Sequence, residues 1–153
     1  MPPGVLKKTA SPRVWFEVAG LEPFEIEVMY LAPEDLKNIN TACTKNVIDK
    51  VTHTVVPQVD NEAVSKLMIK TMVKGWRGLT IDVLKQVMPL DKDSERVISE
   101  DMGGELKFSD DDLDFIAENT YASSFMSAVL KLSMDMQAFR KAELSIVAKN
   151  SVG

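Results

Sequence analysis

The chain has 153 residues, 45% of them hydrophobic and 27% charged, with a net charge of −5. That length suits one domain with a self-sufficient core, and the composition excludes global disorder, collagen and a disulfide scaffold. The acidic balance argues against a protein built to hold a nucleic-acid backbone, which needs clustered Lys and Arg.

Residues 1–12 carry three prolines, one glycine and two lysines and read as a mobile N-terminal arm. Residues 13–150 follow as one globular domain, with 151–153 as a C-terminal tail. In Arg13–Ala19 and Phe24–Tyr30, apolar residues alternate with others in a period-two pattern. With Gly20-Leu21-Glu22-Pro23 between them, they predict an antiparallel β-hairpin whose acidic face (Glu17, Glu25, Glu27) meets solvent.

Ala32-Pro33-Glu34-Asp35 opens a helix, with proline in the first turn and acids at the positive end of the dipole. It is expected to end near Lys45 or Lys50. Val51–Val59 contains Pro57 and reads as irregular or as a short edge strand. Asp60 is a predicted N-cap for a helix through Val64, Leu67, Met68, Thr71 and Met72, stopped by Gly75.

Gly75-Trp76-Arg77-Gly78 is the most distinctive stretch, because glycines on both sides let the backbone turn around a large side chain. Trp76 reads most simply as a core plug. Thr80 caps a short helix to Val87, and Leu90–Gly104 reads as a charged loop with a helical turn at most. Glu105–Phe108 reads as a short strand. Ser109 then caps a helix with Asp110, Asp111 and Asp112 in its first turn.

Tyr121–Asn150 carries the longest helical pattern. Phe125, Val129, Leu132, Met136 and Phe139 form a stripe, widened by Met126 and Leu130. Nine methionines are present, and several, including Met126, Met134 and Met136, lie on or beside helical apolar faces. Methionine suits adaptable binding surfaces, although core filling is the plainer reading of any single one. The expected partner-binding residues are Phe125, Met126, Val129, Leu132, Met134, Met136 and Phe139, with the hairpin edge as another client surface. The same stripe leaves a homo-oligomer seam open.

Chemistry-bearing motifs are sparse. His53 and Cys43 are the single residues of their types, which leaves no disulfide within the chain and no histidine pair for a metal. The aspartates at 110–112 lack the spacing and glycine of a calcium loop. Phosphate-cradling and hydrolase motifs are absent. No catalytic, cofactor-binding or metal residue is expected, and the enzyme or metal-protein reading is the weakest. A signal segment and an apolar membrane span are also missing, so the expected place is the cytoplasm, with no membrane or nucleic-acid partner.

The order of features carries a resemblance. A Pro-bearing arm leads to Phe16-Glu17-Val18 and Phe24-Glu25-Ile26, then to Ala32-Pro33-Glu34-Asp35-Leu36. An acid-capped helix runs into Val73-Lys74-Gly75-Trp76-Arg77-Gly78-Leu79. Phe108-Ser109 opens a helix with core Leu113-Asp114-Phe115-Ile116, and the last helix closes on Lys149-Asn150. This resembles the small tail assembly chaperones of long-tailed bacteriophages and prophages, with a longer and more charged 80–104 segment. The resemblance implies a non-enzymatic cytoplasmic factor without cofactor. Such a factor would bind the tape-measure protein, help its assembly with the tail tube protein, and be absent from the mature virion. A structural tail component, tail-completion or tube-associated, is the alternative. The fold expected is α+β: an N-terminal hairpin, with a third short strand left open, against about five helices.

Overall fold

The computed structural model describes residues 4–152. The fold is α+β, with seven helices and five strands among those residues. Strands β1 (Arg13–Glu17) and β2 (Glu25–Met29) form the expected antiparallel hairpin, with Val14 opposite Val28 and Phe16 opposite Ile26. Helix α1 spans Pro33–Ala42, and Asp35 accepts a hydrogen bond from the Ala32 N–H at 3.0 Å. Strands β3 (Thr44–Ile48) and β4 (Val55–Val59) pair antiparallel as a separate two-stranded sheet. Helix α2 is Asn61–Met72, and β5 is Val73–Arg77. Helices α3 (Ile81–Val87), α4 (Lys92–Asp101), α5 (Asp110–Thr120), α6 (Ser124–Ser133) and α7 (Met136–Val152) follow.

Residues 4–12 contain no helix or strand, and residues 1–3 of the expected arm lie outside the described residues. The expected tail belongs in part to α7, which runs to Val152, and Gly153 lies outside the described residues.

The third strand comes from an unexpected place. Gly75 does not stop a helix; α2 ends at Met72 and β5 begins at the next residue, pairing with β2 to give the order β1-β2-β5. A register shift opposite Glu27 and Val28 inserts Lys74 as an extra residue. In a regular strand Val73 and Trp76 would face opposite sides. The bulge brings both inward, and both are buried. That irregularity also erased the alternation by which the strand would have been read.

The core joins the inner face of the sheet (Val14, Ile26, Val28, Trp76) to Ile69 and Met72 of α2 and Leu84 of α3. Leu113 and Ile116 of α5, Met126 and Val129 of α6, and Phe139 of α7 complete it. Asp60, Thr80 and Ser109 cap α2, α3 and α5 as expected, each side chain accepting from the backbone N–H three residues on. Leu90–Gly104 holds a ten-residue helix rather than a loop. Asp91 caps α4, and Gly104 closes it by donating to the Ile98 carbonyl at 2.9 Å. Glu105–Phe108 forms no strand, only a bridge between Glu105 and Thr80. Tyr121–Asn150 is two helices, not one.

Candidate functional site

The break between α6 and α7 decides the fate of the expected client-binding stripe. Ser133 gives its carbonyl to the Leu31 N–H at 2.8 Å, and Asp135 caps the next helix by accepting from the Gln137 and Ala138 N–H groups. The chain therefore changes direction at Met134–Asp135. Met126, Val129 and Phe139 turn into the core, and Phe125 and Leu132 are half-buried. Phe139 is fully enclosed, with edge-on contacts to Phe16 at 5.3 Å and Tyr30 at 5.7 Å. Only Met134 and Met136, 42% and 39% exposed, remain open. The stripe is thus not one exposed face; most of it seals α6 and α7 onto the sheet.

Gly75, Trp76 and Gly78 form a joint. The Trp76 indole N–H donates to the Leu106 carbonyl at 2.9 Å, and its ring meets Phe108 edge-on at 4.6 Å. Gly78 takes φ +71° against the Pro23 backbone, and its N–H donates to the Glu105 carboxylate at 2.6 Å. On the outer sheet face, Trp15 lies over Gly75, with ring carbon Cη2 3.6 Å from where a Cβ would stand. The Arg77 guanidinium stacks on Trp15 at 4.2 Å and pairs with Glu25. The expected acidic face is thus only part solvent: Glu17 is exposed, but Glu25 and Glu27 are half-buried.

One cluster of titratable groups lies between α2 and α5. The Lys66 ammonium donates to Glu62 at 2.8 Å and meets Glu118 at 2.6 Å, 5.0 Å from the Tyr121 ring centroid. Hydrogen bonds to Glu118 and Glu62 push the Lys66 pKa up, and the Lys66 hydrogen bond and charge pull Glu62 down. The Glu62 charge pushes the Tyr121 phenol up. This network ties two helices together at the surface, where Glu62, Lys66 and Glu118 line an open depression.

His53 and Cys43 are not brought together. Cys43 is buried at the end of α1, and His53 is exposed in the turn beyond β3. The whole of β3 separates them, a span of roughly 16 Å. Among the described residues no group of three or more His, Cys, Asp or Glu is arranged to hold a metal ion. No helix among them is long and apolar enough to cross a membrane.

Among the open apolar surfaces, two are built from paired elements. One is the β3–β4 hairpin, where Ile48 and Val55 face each other across the strands and are 70% and 65% exposed. The other is a groove between α3, α4 and α5, a cavity of about 220 Å³ lined by Met88, Val97, Met102 and Phe115 with Asp93 and Asp112 at its edge. The groove is hidden in the sequence because the charge of Leu90–Gly104 resembles that of a loop, whereas Lys92–Asp101 is helix α4. The Asp91 cap and the paired apolar residues Val97-Ile98 were the available signals. No protein-family model matches the chain, and neither a curated protein nor a solved structure matches it.

Proposed function

We propose that the chain is a non-enzymatic tail assembly chaperone of a long-tailed bacteriophage or prophage, acting on the tape-measure protein. The observation that carries this reading is the ordered pair of segments Val73–Leu79 and Phe108–Ile116, with the hairpin before them and Lys149-Asn150 after. These two segments meet through Trp76 and Phe108, so the residues that carry the resemblance are joined in space as well as in order. The client is a long helical protein with apolar stripes. The chaperone covers it in the host-cell cytoplasm until the tail tube protein assembles around it, and leaves before the virion is complete. Exposed apolar surface on an otherwise acidic protein supports a role of this kind.

The test is to read the neighbouring genes for a very long helical tape-measure protein and to co-express it with this chain. The expected result is a client that stays soluble and co-purifies with the chaperone, and particles whose mass spectra lack this chain. An insoluble client with no complex overturns the reading. Stoichiometric presence in finished particles replaces it with a structural tail component.

A further inference from the structure

The groove between α3, α4 and α5 has a definite chemistry. Its volume of about 220 Å³ is below the roughly 300–1,000 Å³ of small-molecule sites. It suits one or two aliphatic side chains of a partner. Asp93 and Asp112 line it, and among the described residues no lysine or arginine does. Asp93 is paired with Arg96 at 2.8 Å. Among the described residues Asp112 accepts from its own helix start, through Ser109 Oγ at 2.9 Å, and pairs with no cation. Phe115, 59% exposed, stands at the mouth. An occupant should therefore bring an aliphatic anchor with a positive charge close behind it.

The chain itself carries such a segment. Val5 and Leu6 are 89% and 97% exposed, and Lys7 and Lys8 follow directly. Lys8 reaches Glu34 at 3.0 Å, an ion pair open to solvent on both sides. Exposed pairs of this kind are weak and readily exchanged. Within its own fold the segment lies beside the start of α1, and Leu6 is almost wholly exposed among the described residues. Held extended, Leu6 and Lys8 point to the same side.

We infer that Val5–Lys8 of one copy docks in the α3/α4/α5 groove of a second copy. Leu6 enters between Met88 and Met102, and Lys8 exchanges Glu34 for Asp112. The contact joins two different surfaces, so it closes either as a reciprocal pair or as a ring, or extends as a chain of copies. The inference does not depend on the chaperone reading, since it uses this chain alone.

The test is disulfide trapping between two full-length variants in a Cys43→Ala background, both checked by circular dichroism. One carries Leu6→Cys and the other Val97→Cys. Mild oxidation of the mixture should give a cross-linked heterodimer well above that from Leu6→Cys mixed with Gln58→Cys, which places the second thiol on β4. Adding Lys7→Glu and Lys8→Glu to the Leu6→Cys chain should cut the yield about ten-fold, because acid would then face acid. A yield no higher than the β4 control overturns the inference. So does cross-linking found only within a doubly substituted Leu6→Cys, Val97→Cys chain at high dilution, which would put the arm in its own groove. Sedimentation gives a reading without cysteines: Leu6→Asp should abolish self-association of the parent chain, and an unchanged profile counts against the exchange.

Discussion

Gly78 and Pro23 meet backbone to backbone: a Cβ on Gly78 would stand 2.1 Å from the Pro23 carbonyl oxygen. The same glycine holds φ +71°, in the left-handed region. Gly78→Ala should therefore cost about 3 kcal/mol or more, the left-handed backbone adding to a clash with fixed atoms. Gly20→Ala is the matched control. It also has a positive φ, of +83°, but nothing lies within 4 Å of its added Cβ. Its cost should stay near 1 kcal/mol. Urea unfolding of both variants checks the difference.

Trp76 and Leu106 are linked by a buried hydrogen bond, and no other donor reaches that carbonyl among the described residues. Trp76→Phe keeps an aromatic ring in place but leaves the carbonyl unpaired. The expected loss is about 2 kcal/mol, the desolvation cost of an orphaned acceptor. Thermal unfolding followed by far-ultraviolet circular dichroism reads it, and a melting point equal to that of the parent would refute the role given to this bond.

The methionines of the C-terminal pattern should divide by burial. Met126 is 2% exposed and Met134 is 42% exposed. Met126→Gln buries an amide without a partner and should cost about 3 kcal/mol. Met134→Gln should change stability by less than about 0.5 kcal/mol. Chemical denaturation separates the two. A client-binding defect in Met126→Gln therefore has to be judged against its folding defect, whereas Met134→Gln and Met136→Gln probe the surface itself.

Glu62 gives a pH prediction with a fixed sign. Lys66 lowers its pKa in the folded state below the usual 4.5. A depressed carboxyl pKa means the folded state is favoured above the unfolded pKa, and the advantage is lost as pH falls through the folded value. The difference in melting temperature between the parent and Glu62→Gln should be constant at neutral pH and shrink on acidification below about 4.5. Because the group is exposed, added salt should shrink it as well. A difference that persists unchanged at pH 2 would remove Lys66 as its cause.

Much of this fold is written locally. The caps at Asp60, Thr80 and Ser109 each need only one side chain and the next turn of backbone, so sequence alone places those helix starts. The alternation in β1 and β2 is equally local. The α4 helix is harder, since Ile98 is its single fully buried residue and its remaining charge reads as loop. The split at Asp135 is a cap inside an apolar pattern, and periodicity runs straight across it. The candidate surfaces were less legible still. A stripe of apolar residues looks the same whether it faces a partner or the interior, and Met126 and Phe139 face the interior.

Spacing, capping and charge within a few residues specify an α+β chain with an N-terminal hairpin, its main helix starts and a net negative charge. Tertiary structure alone decided that Val73–Arg77 is the third strand. It also decided that Thr44–Ile48 pairs with Val55–Val59, and that three helices leave a groove beside Phe115. Those outcomes depend on pairings and burial between residues far apart in the chain. A β-bulge at Lys74 or a turn at Asp135 has its effect only when the distant partner, Val28 or Leu31, is in place.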